Sequence, residues 1–223
     1  YVLGYNQVSL FLLRHRYYFA WVLGDAGCNS AGFGFNGLDA KGNQKWDLVL
    51  NLDYLAVEVP WNFRSAMTGW NKATSNWLRR CVYERVPKGI ATPSAFFMSA
   101  IWHGYYPGYY LTFMSCGIWN EVARLLRRHI RPLVIPTKES ESSATAYFYH
   151  ACSLALTVMS LNYLATPFLL LSAAASLQYW SYWYFAPHII VAALFVGLPV
   201  VFAVKKPPKT DKKDYIFRFV CGE

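Results

Sequence analysis

Apolar and polar positions fall along this chain in long blocks. Residues 142–204 hold no Asp, Glu, Lys or Arg, a run of 63 positions. A transmembrane helix takes about 20 apolar residues, so the run predicts two or three passes. One is placed at 144–171 and one at 184–204, joined by 172–183. The connector carries Tyr179, Trp180, Tyr182, Trp183 and Tyr184, the amphipathic rings expected at headgroup level. Pro167 and Pro187 interrupt these helices, which a bundle tolerates when neighbours satisfy the freed carbonyls.

A second charge-free run covers residues 89–120 and is broken by Gly104, Pro107 and Gly108. It predicts two helical pieces around a bend. The first apolar stretch, 1–13 followed by 17–23, is split by Arg14, His15 and Arg16 and reads as a half-span or an interfacial helix. Residues 25–69 are rich in turn formers, with Gly27, Gly32, Gly34, Gly37 and the Gly42–Asn43 pair ahead of an apolar, β-branched patch at 48–59. The glycine run 32–37 has neither a preceding strand nor a following helix, so it is a bend and not a phosphate loop. Over 70–86, Trp70, Thr74, Trp77, Leu78, Cys81, Val82 and Val86 recur at helical spacing, with Lys72, Arg79, Arg80, Glu84 and Arg85 on other faces. This predicts one amphipathic helix, at the membrane interface or packed on a bundle.

Composition changes the picture in one respect. Of 223 residues, 55% are hydrophobic and only 15% charged, below the roughly 25% of an ordinary soluble domain. Yet 21 Lys+Arg against 12 Asp+Glu leave a net charge of +9. Scarce but basic charge fits a membrane protein with basic loops and argues against a nucleic-acid partner, which needs a polar surface overall. Arg124, Arg127, Arg128, Arg131 and Lys138 precede the long apolar run; Lys205, Lys206, Lys209, Lys212 and Lys213 follow it. Two passes put both clusters on one side, and the positive-inside rule makes that side cytosolic, including a basic tail at 205–223. Five scattered cysteines without a C-x-x-C pair give no disulfide framework. The histidines show no ligand spacing, so no metal is expected. The chain opens on Tyr1 without a signal sequence and is expected to be the C-terminal part of a longer membrane domain.

The one residue in the run 89–120 whose side chain ordinarily titrates near neutral pH is His103. Ionisable groups at membrane depth are costly and mark function by default. Helix breakers follow it, and Ser99 and Ala100 on the preceding turn permit close helix approach. Imidazole is also a natural general base at neutral pH. A histidine satisfied by packing is the alternative, and it is the reading taken for His150 and His188.

The segment Trp70-Asn-Lys-Ala-Thr-Ser-Asn-Trp-Leu-Arg-Arg-Cys-Val-Tyr83, followed by Ser99-Ala-Ile-Trp-His-Gly-Tyr-Tyr-Pro-Gly-Tyr-Tyr-Leu-Thr-Phe113, resembles the membrane-bound O-acyltransferase (MBOAT) family. Within that family it is most similar to the fungal lysophospholipid acyltransferases. The likeness extends loosely over residues 32–206. It implies an all-α, polytopic transmembrane bundle, incomplete at its N-terminus, in the endoplasmic reticulum membrane. It also implies acyl-CoA and a lysophospholipid as substrates, with no cofactor. By resemblance His103 is the catalytic histidine and Asn71 its active-site partner. Trp70, Thr74, Trp77, Arg79, Arg80, Trp102, Gly104, Pro107, Gly108 and Tyr109 then contribute to substrate binding. The interval from Asn71 to His103 is shorter than in typical fungal members. A sterol, diacylglycerol or protein acceptor is the runner-up within the enzyme class. A transporter would need several intramembrane charges or an internal repeat; a non-catalytic scaffold leaves the Asn71 and His103 segments unexplained.

Overall fold

The computed structural model describes residues 2–137 and 142–203. Lys138, the tail at 205–223 with its five lysines, and Cys221 lie outside the described residues. The described chain is helical, with one isolated bridge between Leu38 and Gln44. In order, the elements are α1 (Val2–Ser30), α2 (Tyr54–Glu58), α3 (Phe63–Gly69), α4 (Lys72–Leu78), a π-helical turn (Arg79–Tyr83), α5 (Ala91–His103), α6 (Pro107–His129), α7 (Arg131–Val134), α8 (Ala144–Leu170), α9 (Ala173–Ser181) and α10 (Ala186–Ala203).

The predicted pass at 144–171 is α8, a helix of 27 residues. Ser143 caps it by accepting from Ala146 N, and Pro167 sits inside it without ending it. Among the described residues α8 is the single helix long and apolar enough to cross a membrane unaided. The second expected pass corresponds to α10, and the connector 172–183 carries α9. Among the described residues α10 reaches span length only together with α9, as a pair bent by 85°. Pro187 does not interrupt α10; it occupies the first turn, where a missing N–H costs nothing.

In the first stretch the charges interrupt the apolar run but not the helix, and α1 is not among the candidate spans of the described residues. α1 runs unbroken through Arg14, His15 and Arg16 for 29 residues. The reason is tertiary: Arg14 Nε and Nη2 donate to the Glu58 carboxylate at 2.8 Å each, and Nη1 donates to Asn162 Oδ1 on α8 at 2.5 Å. Asn6 donates to Tyr179 Oη at 3.0 Å and accepts from Thr166 Oγ1 at 3.1 Å. Gln7 joins Asn162, and Tyr18 donates to Glu58. Meanwhile Tyr5, Val8, Leu12, Phe19 and Leu23 on α1 are exposed. Polar groups inside and apolar groups outside is the arrangement a bilayer rewards, because lipid cannot satisfy the polar groups.

α6 is the hub and packs on α3, α5, α7, α8, α9 and α10. Its Cys116, Trp119 and Val122 form a core with Phe63, Tyr163, Leu164, Trp180 and Val191. The α6–α8 crossing depends on Gly108. A Cβ there would lie 2.1 Å from the Pro167 carbonyl oxygen and 2.9 Å from Leu171 Cα, while Gly108 N donates to Leu171 O at 2.9 Å. Only glycine lets these backbones meet.

Candidate active site

The bend predicted in residues 89–120 separates α5 from α6. His103 is the last residue of α5. Gly104 follows at φ 129 and ψ −171, a conformation open essentially to glycine alone, and Pro107 starts α6 at its favoured first position. The chain therefore reverses directly after the imidazole. Gly104 N closes α5 by donating to Ala100 O and Ile101 O.

Aromatic rings hold the His103 side chain. Phe113 stacks on it, with centroids 4.9 Å apart and planes 19° from parallel. Phe168 meets it edge-on at 5.0 Å, Tyr109 lies at 5.6 Å and Trp102 at 4.6 Å. Tyr109 and Phe113 are four apart on α6 and so share a face; Phe168 comes from α8. The rings fix the imidazole plane, and among the described residues no hydrogen bond occupies either ring nitrogen. Both nitrogens are thus left for an outside partner. Phe113 and Phe168 were not singled out from the sequence. The i,i+4 spacing of Tyr109 and Phe113 was a usable signal for the first; nothing local points to Phe168.

Asn71 lies where the predicted helix over 70–86 fails to begin. Trp70 is extended, Asn71 is left-handed at φ 46 and ψ 58, and α4 starts only at Lys72. At Arg79 the helix widens into a π turn, closed by Glu84 N donating to Arg79 O at 2.9 Å. Single π turns and left-handed non-glycine residues both carry strain and cluster at functional sites. The Asn71 side chain makes no cap hydrogen bond. Asn51 serves instead: its Oδ1 accepts from Ala73 N at 2.8 Å and its carbonyl from Lys72 N at 2.9 Å. Asn51 was not anticipated, because a cap supplied from 22 positions away leaves no local pattern.

α4 and the π turn pack on α5, forming a hairpin joined through residues 84–90. Its arms have 12 and 13 residues, with Asn71 just ahead of the first and His103 at the end of the second; among the described residues no hydrogen bond or ring contact joins the two. The other expected substrate-binding residues scatter. Trp70 packs into an aromatic cluster with Tyr17, Tyr18 and Trp21 of α1. Trp77 and Trp102 are exposed. Thr74 is half-buried and Arg80 exposed. Arg79 pairs with Glu84 at 3.3 Å. Gly104 and Tyr109 adjoin His103, Gly108 serves the α6–α8 crossing, and Pro107 borders a groove of about 510 Å³ that also includes Tyr110, Leu111 and Met114. His188 is a packing residue as expected, with Tyr163 Oη 2.8 Å from its Nδ1 and Trp180 at 4.3 Å.

Comparison with known proteins gives a consistent picture. The family model for MBOAT, the membrane-bound O-acyltransferase family, matches residues 4–166. The chain is 40% identical over 196 residues to membrane-bound glycerophospholipid O-acyltransferase 2 of Homo sapiens, covering 88% of this chain and 36% of that protein. It is 40% identical over 195 residues to lysophospholipid acyltransferase 6 of Drosophila melanogaster, covering 87% and 26%. With the lysophospholipid acyltransferase of Schizosaccharomyces pombe it shares 38% over 194 residues, covering 84% and 38%. The chain thus spans about a third of the length of these relatives.

Proposed function

The chain belongs to the membrane-bound O-acyltransferase family, and on that premise we propose that it transfers a fatty acyl group from acyl-CoA to the free hydroxyl of a lysophospholipid. Three relatives with lysophospholipid or glycerophospholipid acyltransferase names support the acceptor class. The observation that carries the chemistry is the His103 imidazole, clamped between Phe113 and Phe168 with both nitrogens unclaimed by described protein groups.

In this reading His103 takes the proton from the glycerol hydroxyl as general base, help worth about 10²–10⁴-fold. The alkoxide oxygen attacks the thioester carbonyl, and the carbonyl electron pair moves onto oxygen. Collapse of that tetrahedral species breaks the C–S bond and expels CoA thiolate, which recovers the proton from the imidazolium. No acyl-enzyme forms and no cofactor takes part. The Asn71 amide, excused from helix capping by Asn51, donates to the developing oxyanion. Trp77 and Trp102 face the apolar parts of the substrates, and Arg79 and Arg80 the CoA phosphates.

The setting is a polytopic bundle in the endoplasmic reticulum membrane. α8 crosses it, and α9 with α10 crosses as a bent second span. The basic end of α6 and the tail at 205–223 face the cytosol by the positive-inside rule. The inside-out polarity of α1 supports contact with lipid. The test is His103→Ala, assayed in membranes that express the protein with labelled acyl-CoA and lysophosphatidylcholine. Transfer should fall by at least about 10²-fold; transfer at the normal rate overturns the assignment.

A further inference from the structure

The left-handed backbone at Asn71 is bracketed by a second stretch of chain, residues 51–53. Before it, Asp53 N donates to Gly69 O at 2.9 Å. After it, Lys72 N donates to Asn51 O at 2.9 Å, and Ala73 N to Asn51 Oδ1 at 2.8 Å. The approach is close, since a Cβ on Gly69 would stand 3.0 Å from Asp53 O and 2.8 Å from Ala56 Cβ. A left-handed backbone at a non-glycine residue is strained and persists only where its surroundings over-determine it. Here the neighbours of Asn71 on both sides are tied down, while its own side chain makes no cap hydrogen bond.

What ties them down is one face of α1. Asn51 N donates to Asp25 Oδ2 at 3.2 Å, so Asn51 is held by its amide while its two oxygens hold Lys72 and Ala73. A bond to a carboxylate is stronger than one between neutral groups. Four positions earlier, Trp21 meets the Trp70 ring edge-on, with centroids 4.8 Å apart and planes at 78°. Tyr17 and Tyr18 each lie 5.8 Å from the same ring. Tyr18 shares a buried cluster with Leu52, the residue between Asn51 and Asp53. Positions 17, 18, 21 and 25 fall on one side of a helix. That side therefore reaches Trp70 directly and residues 72 and 73 through Asn51.

We propose that Asp25 and Trp21 are positioning residues for Asn71, a role that rests on the reading of Asn71 as the oxyanion donor. Trp21 fixes the chain ahead of Asn71 and Asp25 fixes it behind, through Asn51. The amide is then held where charge develops on the thioester oxygen, without reorganising as the reaction proceeds. Both residues act through their neighbours and not on the reacting atoms.

The test is a cycle of Asp25→Ala, Asn71→Ala and the double variant, with Asp25→Asn beside them. Each is assayed in membranes that express the protein, with labelled acyl-CoA and lysophosphatidylcholine. In Asp25→Ala, kcat should fall about tenfold, inside the roughly 100-fold that a misplacement of about 1 Å costs, with KM nearly constant. Asp25→Asn keeps an acceptor oxygen and should recover most of the loss; a fall as large as that of Asp25→Ala overturns the hydrogen bond as the cause. The double variant should be no slower than Asn71→Ala, because a donor that is gone cannot be misplaced. A merely structural role lowers the folded fraction by the same factor in both backgrounds. That additive result, or full kcat in Asp25→Ala, overturns the positioning role while leaving a slow Asn71→Ala, and so the oxyanion reading, in place. Full kcat in Asn71→Ala overturns the oxyanion reading and the positioning role together. If Asp25→Ala fails to fold, Trp21→Leu takes its place in the same cycle, where additive losses again overturn the proposal.

Discussion

Asn51 and Asn71 divide one task between them. Asn71 stands at the N-cap position of α4, yet it is Asn51 Oδ1 that accepts from Ala73 N, at 2.8 Å. The Asn71 amide is thereby released, at the cost of a left-handed backbone. Asn51→Ala should cost about 1 kcal/mol of stability as a lost cap and lower turnover through Asn71. The check is a double-mutant cycle on acyl transfer. If Asn51 acts through Asn71, the double variant loses no more turnover than Asn71→Ala alone. Additive losses would show independent roles.

Phe168 reaches His103 from another helix, edge-on at 5.0 Å. Phe168→Ala opens one wall of the aromatic clamp and lets the imidazole reorient. Misplacing a catalytic group by about 1 Å costs up to about 100-fold. The expected outcome is a 10- to 100-fold fall in kcat, about the range that principle allows, with KM for acyl-CoA nearly constant. A change confined to KM would assign Phe168 to substrate binding instead.

Two glycines on α6 should separate cleanly in a stability measurement. At Gly108 an added Cβ meets backbone, the Pro167 carbonyl oxygen at 2.1 Å; at Gly117 it meets the Phe96 ring at 3.2 Å. A ring can shift, whereas two helix backbones must separate. Gly108→Ala should cost about 3 kcal/mol or more and Gly117→Ala about 1 kcal/mol or less. Thermal unfolding midpoints in detergent give the comparison, and the reverse ranking would contradict the close α6–α8 crossing.

The Arg14–Glu58 pair ties α1 to α2, with the Glu58 carboxylate only 8% exposed. Glu58→Gln leaves Arg14 charged and half-compensated, which should cost about 3–5 kcal/mol. The double variant Arg14→Met, Glu58→Leu removes both charges and should be more stable than either single variant. Denaturation of the three variants decides it; a double variant as unstable as the sum of the singles would mean the pair stabilises beyond charge compensation.

Much of this architecture is legible in the residue order. The run without charge at 142–204 places α8 to within a residue of its end, because span length and apolarity are local properties. Gly104 and Pro107 place the reversal after His103, because backbone conformations that only glycine or proline favours are also local. What was not legible depends on distant partners. Arg14 stands as a bare charge in an apolar stretch until Glu58 and Asn162 arrive from 44 and 148 positions away. The helix over 70–86 looks regular until Asn51 takes the cap and α5 packs on the π turn.

By itself, the sequence determined the charge-free spans, the bend after His103 and the two segments that resemble the acyltransferase family. Each depends on neighbours a few positions apart. The tertiary structure decided what surrounds those groups: Phe113 and Phe168 around the imidazole, Asn51 in place of Asn71 as the cap, and Trp61 beside His150. Polar groups in an apolar setting must find partners. Spacing along the chain does not encode which distant residue supplies them; the packing of α1, α6 and α8 does.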